Sequence, residues 1–309
     1  MSYSRASWLV SMAAMALPLI LLGLDVPTTG HAAIDAPMAL KETTSLAEVA
    51  RTIGLGREDY VYSVSWGMIK VGRSSLGSYD IVPFNGKEAY HIVSTARTLP
   101  FFDTFYKVRD RNESWLETKT FISMGFGKHL REGRFRRSET VIYDHAAGKF
   151  MATVHKNKGE PVQEEGPMKP MAYDVLSALY WVRAQNLKVG QEISIDVNTR
   201  QDWPLAVRVL GEERIRVPAG EFQCLKVEPV LRGEGIFIQK GKSMQIWFTN
   251  DARKIPILVK ADVFIGAVKA ELEEIIYSDL PKPKVPEDFQ EPEGGSEDSE
   301  ASDSTKKME

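Results

Sequence analysis

Two stretches concentrate charge in a way that suits anion chemistry. Residues 107–113, KVRDRNE, alternate charge along a strand-like run, which sets Lys107, Arg109 and Arg111 on one face and Val108 and Asp110 on the other. Residues 128–137, KHLREGRFRR, add Lys128, Arg131, Arg134, Arg136 and Arg137. A guanidinium presents a planar fork of donors that matches a phosphate or carboxylate bidentately. Arg109, Arg131, Arg134 and Arg136, with Trp247 on a later strand, are therefore the candidate ligand-binding residues. Two readings stand. A basic face that borders a groove binds an anionic head group; a wet one is a solvated surface, with Glu132 and Glu139 pairing across strands.

Patterns for catalysis are missing from the sequence. After His31, the histidines are His91, His129, His145 and His155, without HxxxH or HExxH spacing, and no CxxC occurs, so no metal site is expected. There is no GxSxG elbow, and GFGKH at 125–129 lacks the spacing of a phosphate loop. Cys224, beside Phe222 and Leu225, reads as a small buried apolar residue. The sequence names no catalytic residue and calls for no cofactor, and the expectation is a protein that is not an enzyme, with a hydrolase acting on peptidoglycan or lipid as the remaining alternative. TNDARKIP at 249–256 reads as a turn built on Asn250 and Asp251 and ended by Pro256.

These side chains are carried by a chain that alternates in period two from Tyr60 onward. Asn85-Gly86 between YDIVPF and KEAYHIV is a hairpin signal, repeated around Ala147-Gly148 and Ala219-Gly220. SMQIWFT sets Met244, Ile246 and Phe248 opposite Gln245 and Trp247, and AVKAELEEI sets Val268, Ala270 and Leu272 opposite Lys269, Glu271 and Glu273, the alternation of an antiparallel sheet with one wet face. About ten to twelve strands are expected. Residues 44–54 read as a short amphipathic helix, with Ser45 and Glu48 as a capping box and Gly54 at its stop.

One segment breaks the pattern. Residues 171–185, MAYDVLSALYWVRAQ, are apolar on nearly every side, with Asp174 and Arg183 suiting the two ends of a helix dipole. Burial on all sides is offered by the interior of a curled sheet, where Tyr173, Leu176, Leu179, Tyr180 and Trp181 would form the structural core; packing across one open face is the alternative. Ser177 is left needing a buried partner.

The ends differ in kind from the middle. Arg5, an uncharged run from Trp8 to Leu24 and Gly30 and Ala32 before Ala33 give residues 1–32 the form of a secretory signal peptide, cleaved after 32, or else kept as an anchor. No cysteine stands there to be acylated, so a lipoprotein is not expected. Residues 281–309 hold four Lys and nine acidic residues among Ser, Pro and Gly, a composition that stays disordered. Removing the tail's −5 from the whole chain's −3 leaves +2 for residues 33–280, because residues 1–32 carry one Arg and one Asp. That near-neutral body gives no reason to expect nucleic acid. The division is a signal peptide at 1–32, an extension at 33–58, one β domain at 59–280 and an acidic tail at 281–309.

EDYVYSVSWGMIKVGRSS, FYKVRDRNESWLET, LREGRFRR, YDVLSALYWVRAQNLKVGQ, VPAGEFQCLKVEPVLRGEGIF and IWFTNDARKIPILVKADVFIGAVKAELEEI, taken in order, resemble the blocks of the domain of unknown function 3108 family of exported bacterial proteins. The resemblance covers residues 56–276. It implies a mainly β fold: a large antiparallel sheet curled as an open barrel or spiral around one central buried helix, similar to envelope-integrity β-spiral proteins and, more distantly, to periplasmic lipoprotein carriers. It brings no catalytic site. With the export signal, it points to a periplasmic protein of the Gram-negative envelope that binds a lipid or acylated protein in a groove between helix and sheet. The alternative is an envelope scaffold whose helix fills the core. Envelope proteins are the expected macromolecular partners, and the oligomeric state is left open.

Overall fold

The computed structural model describes residues 45–156, 159–231, 243–263 and 266–277. The expected signal peptide at 1–32, residues 33–44 of the extension and the acidic tail lie outside these residues. Fourteen strands form one sheet: β1 (Glu58–Trp66), β2 (Ile69–Phe84), β3 (Lys87–Thr98), β4 (Arg109–Glu117), β5 (Ser123–Glu132), β6 (Phe135–Asp144), β7 (Lys149–Lys156), β8 (Val162–Pro167), β9 (Glu192–Asn198), β10 (Asp202–Val217), β11 (Gly220–Leu231), β12 (Met244–Thr249), β13 (Pro256–Asp262) and β14 (Ala267–Tyr277). Every neighbouring pair is antiparallel, in the order 8-7-6-5-4-3-2-1-14-13-12-11-10-9. The sheet is therefore two meanders joined where β1 meets β14, with β8 and β9 as its edges.

Among the described residues three helices punctuate the strands: α1 (Leu46–Thr52), α2 (Pro100–Tyr106) and α3 (Val175–Ala184). α1 has the expected capping box, Ser45 Oγ accepting from the Glu48 N–H and the Glu48 carboxylate from the Ser45 N–H. Val49, Ala50 and Ile53 are buried against the core. The Asn85-Gly86 turn is present with φ of 45° and 77°, the two positive values that a two-residue turn matched to strand twist requires. The hairpin foreseen around Ala219-Gly220 forms with its two-residue loop one position earlier, at 218–219.

The chain passes from one edge of the sheet to the other through α3. The helix starts at Val175 rather than Met171 because Tyr173 is committed elsewhere: its N–H donates to Asp196 O (2.9 Å) and its carbonyl accepts from Asn198 N (2.7 Å), which covers the open side of β9. Asp174 then caps the helix. Its Oδ1 accepts from the N–H groups of Leu176 (2.8 Å) and Ser177 (3.0 Å), and Oδ2 from the hydroxyls of Ser114 (2.6 Å), Ser123 (2.5 Å) and Ser177 (2.7 Å). Burial pushes this carboxyl up and the serine hydrogen bonds pull it down. They also give Ser177 its partner.

At the other helix end Arg183 is fully buried and ties three segments together. It donates to the carbonyls of Ile53 (2.6 Å), Arg253 (3.2 Å) and Lys254 (2.9 Å) and to Tyr60 Oη (2.9 Å), with its guanidinium 4.7 Å from the Tyr180 ring centre. Ser114, Ser123 and Tyr60 all lie towards the sheet end that carries the β2–β3 and β4–β5 turns. α3 thus crosses the interior at that end. Leu176 and Tyr180 are fully buried, Tyr173 is buried, and Leu179 and Trp181 are partly buried against the same core.

Candidate functional site

Strand register sorts the basic residues onto two faces. Asn112 stands between Ser94 and Lys128, and Lys128 faces Glu139, which faces Val154. On the other side Ser94 faces Leu76, which faces Tyr60. Tyr60 touches α3 through Arg183, so this row lines the interior. Period two then places Asp110, Leu130 and Arg137 inside and Arg109, Arg111, Arg131 and Arg136 outside.

The candidate arginines therefore sit on the outer face rather than between helix and sheet. Arg73 faces Arg97, Arg97 faces Arg109, and Arg131 faces Arg136. Arg109 and Arg131 come opposite each other between the Val108–Glu132 bridge and the Arg111–His129 pair. This row is partly tied internally: Arg109 forks onto Asp103 of α2 (3.0 and 2.6 Å), and Arg136 Nη1 donates to Gly133 O (2.9 Å) and Phe135 O (2.8 Å). Arg134 is exposed in the β5–β6 turn. Trp247 lies on β12, six strand steps from β4, roughly 29 Å along the sheet. It is buried, donates from Nε1 to Glu213 Oε2 (2.9 Å) and lies under Lys226. The structure brings Arg109, Arg131, Arg134 and Arg136 to one end of the sheet and leaves Trp247 apart.

Beside that row, on the same outer face, Glu113 gathers groups from three strands. Its carboxylate meets His91 Nε2 (2.7 Å), His129 Nε2 (3.3 Å) and Arg111 Nη2 (2.6 Å). Burial raises the Glu113 pKa, but the hydrogen bonds with His129 and His91 and the Arg111 charge hold it below the ordinary carboxylate range. The His91 ring stacks on Trp115 at 5.4 Å, and Trp115 on Phe84 at 4.4 Å. The Glu113 carboxylate thus joins β3, β4 and β5 as a cross-strand network. Asp251 likewise holds a turn, its Oδ1 accepting from Arg253 N (3.0 Å), Lys254 N (3.1 Å) and Thr249 Oγ1 (2.7 Å).

The interior cluster is different, and sequence reasoning missed it. Asp110, Asn112, Lys128, Glu132 and Glu139 are all buried. Glu139 is bridged by Arg137 and by Arg200 (3.2 Å), which also holds Glu164. Asp110 Oδ1 accepts from Arg131 N (2.9 Å), while its Oδ2 has no donor among the described residues. Burial first, and then the neighbouring Glu132 carboxylate, push Asp110 up to about 8. A proton kept between two such neighbouring carboxyls would give Asp110 Oδ2 the partner it lacks.

Lys128 is 4% exposed and makes no ion pair among the described residues. Burial, the leading cause, pushes it down to about 8, partly offset by Glu139. Across from it the Asn112 amide oxygen has no donor among the described residues, which leaves it to accept from a ligand hydroxyl or N–H while Lys128 and the Asn112 NH2 face the anion. A lysine is almost never this deeply buried unless paired. A cation and an amide side by side on the concave wall, with Phe126 and Val141 one row away, can hold an anionic head group with apolar surface beside it.

The model of a family described as a protein of unknown function, DUF3108, matches residues 61–273. The chain is similar to a beta-barrel-like protein of domain of unknown function DUF1849 from Brucella abortus, with 10% identity and a TM-score of 0.49 over 74% of this chain and 100% of that one. It is also similar to the hypothetical protein CT021 from Chlamydia trachomatis, with 11% identity and a TM-score of 0.31 over 78% of this chain and 97% of that one. No curated protein matches it.

Proposed function

The chain belongs to the DUF3108 family, whose function is unknown, and from that premise we propose that it is an exported envelope protein that binds an anionic amphiphile, a lipid or an acylated chain, inside its curled sheet. The observation that carries this reading is Lys128, buried on the concave wall without a counter-charge in ion-pair range among the described residues. The head group sits at Lys128 and Asn112. The apolar part lies along the inner residues Phe126 and Val141, in the row of Ser114 beside the α3 cap, and Val154. Export is supported by the apolar run Trp8 to Leu24 with Gly30 and Ala32 before Ala33. No reaction is assigned.

The test is native mass spectrometry and solvent extraction of protein purified from its own periplasm. A bound amphiphile is expected at near-stoichiometric amount, and Lys128→Met should lose it. Because the native state holds this lysine at a cost, the variant should unfold at the same or a higher temperature, so loss of ligand would not be loss of fold. A wild-type protein with no adduct, no extractable lipid and no saturable uptake of an acyl probe overturns the proposal. The scaffold reading is favoured by one observation, the complete burial of Leu176 and Tyr180 at the helix end. Crosslinking in intact cells that recovers one protein at stoichiometric amount from such lipid-free protein would support it.

A further inference from the structure

The sheet end opposite α3 carries a second feature that the ligand reading does not use. The β1–β2 turn, α2 and the β5–β6 turn lie side by side there. Leu99 N donates to Val71 O (3.0 Å), Gly133 N donates to Lys107 O (2.7 Å), and Gly133 has no room for a Cβ beneath the Tyr106 ring. This rim exposes large apolar side chains: Met68 at 101%, Phe101 at 69%, Phe105 at 72% and Phe135 at 45%. Phe101 and Phe105 are one turn apart on α2, with ring centres 5.6 Å apart, while Phe102 is partly buried and packs on the core. The helix is thus anchored by one phenylalanine and displays two.

Charge around these rings is of one sign. Arg97, Lys107, Arg134 and Arg136 are exposed at this end. Of the described acidic groups beside the rings, Asp103 pairs with Arg109, Glu273 with Lys70 and Arg73, and Glu132 is buried, while Glu160 stands exposed one hairpin further along in the β7–β8 turn. Clustered aromatic and Met side chains exposed inside a basic ring match an anionic bilayer surface. The rings enter the head-group boundary and the cations stay with the phosphates. A second copy of this chain would set like charges against each other.

We infer that this rim, formed by Met68, Phe101, Phe105 and Phe135 with Arg97 and Arg136, docks the protein on anionic phospholipid membranes. The inference is independent of the interior site, because it concerns the outer end of the sheet. It predicts co-sedimentation of the full-length mature protein with phosphatidylcholine vesicles containing phosphatidylglycerol, weakened by raised salt. Phe101→Ser/Phe105→Ser should weaken binding at least tenfold while leaving circular dichroism unchanged, because both rings are exposed. Arg97→Gln/Arg136→Gln should remove the preference for anionic vesicles, a further loss on the order of tenfold. Wild-type protein that sediments with neither vesicle, or a double phenylalanine variant that sediments as well as wild type, overturns the inference. So does a protein that ignores vesicles but is dimeric by ultracentrifugation and becomes monomeric in the phenylalanine variant, which would assign the rim to a second copy. Retention of the interior ligand is read separately through Lys128→Met.

Discussion

Two carboxyls that face each other inside a protein titrate as a pair, and the Asp110–Glu132 pair does so where stability is usually measured. The native Asp110 pKa is raised from 3.8 to about 8. A raised carboxyl contributes stability that is fully present below its unfolded pKa and is lost as pH rises through the folded one. The wild-type protein should therefore lose stability between pH about 4 and about 8 through this residue. Asp110→Asn keeps an acceptor for the Arg131 N–H and removes the titration. Urea unfolding at pH 5 and pH 8 should show the variant gaining about 2 to 3 kcal/mol on wild type between the two values. A parallel pH dependence of the two proteins would exclude a shared proton. Lys128 works in the opposite sense. Its lowered pKa makes the charged form costly below about 8, a cost relieved as pH rises towards the unfolded value.

At the scale of elements, α3 is held at both ends by side chains that act on other segments. Arg183 supplies the donors for the last carbonyl region of α1 and for the turn at 251–254. Arg183→Met would keep much of the packing volume and leave those carbonyls buried and unmatched, at about 1–3 kcal/mol each. The bonds to two of the three are only partly buried, so the total is at the low end, about 3 kcal/mol. Thermal unfolding should drop by roughly 6–12 °C, and limited proteolysis should cut first near Ile53. An unchanged melting temperature would mean that the carbonyls find other donors. Much of this level was legible beforehand. Period-two alternation, the Asn85-Gly86 turn, the Ser45–Glu48 box and the greasy 171–185 segment are local signals, and each marks an element that formed. The interior cluster was not legible, because Asp110, Lys128 and Glu139 meet only through the registers of β4, β5 and β6. Period two already sets Lys128 and Arg131, three residues apart, on opposite faces, but only the registers show which of the two faces is inner. Two strands more than expected arise because long turn-free runs such as Ile69–Phe84 conceal how the sheet continues to its edges.

At the scale of the whole molecule, a sheet whose edges are its eighth and ninth strands must keep those edges from pairing with other chains. Tyr173 covers β9, while β8 carries Glu164 and Glu165 and ends at Pro167, features that discourage further pairing. Across the gap Arg200 reaches Glu139 and Glu164, Tyr143 Oη donates to Asn198 O (2.7 Å) and Lys169 N donates to Asp202 Oδ2 (3.0 Å). This polar seam is weaker than a continuous strand ladder, so it should be where the curled sheet opens first. Arg200→Gln removes the charge that holds two carboxylates from different strands and leaves Glu139 to Arg137 alone. Hydrogen exchange of the variant should accelerate about tenfold or more in β8 and β9 and stay unchanged in β1 to β4, whose ladders do not touch the seam. An opening of that kind would also loosen the wall beside Lys128, so retained amphiphile should fall while rim binding to vesicles stays the same. Uniform acceleration across all strands would instead mean that the sheet unfolds as one unit and that the seam is no weaker than its ladders.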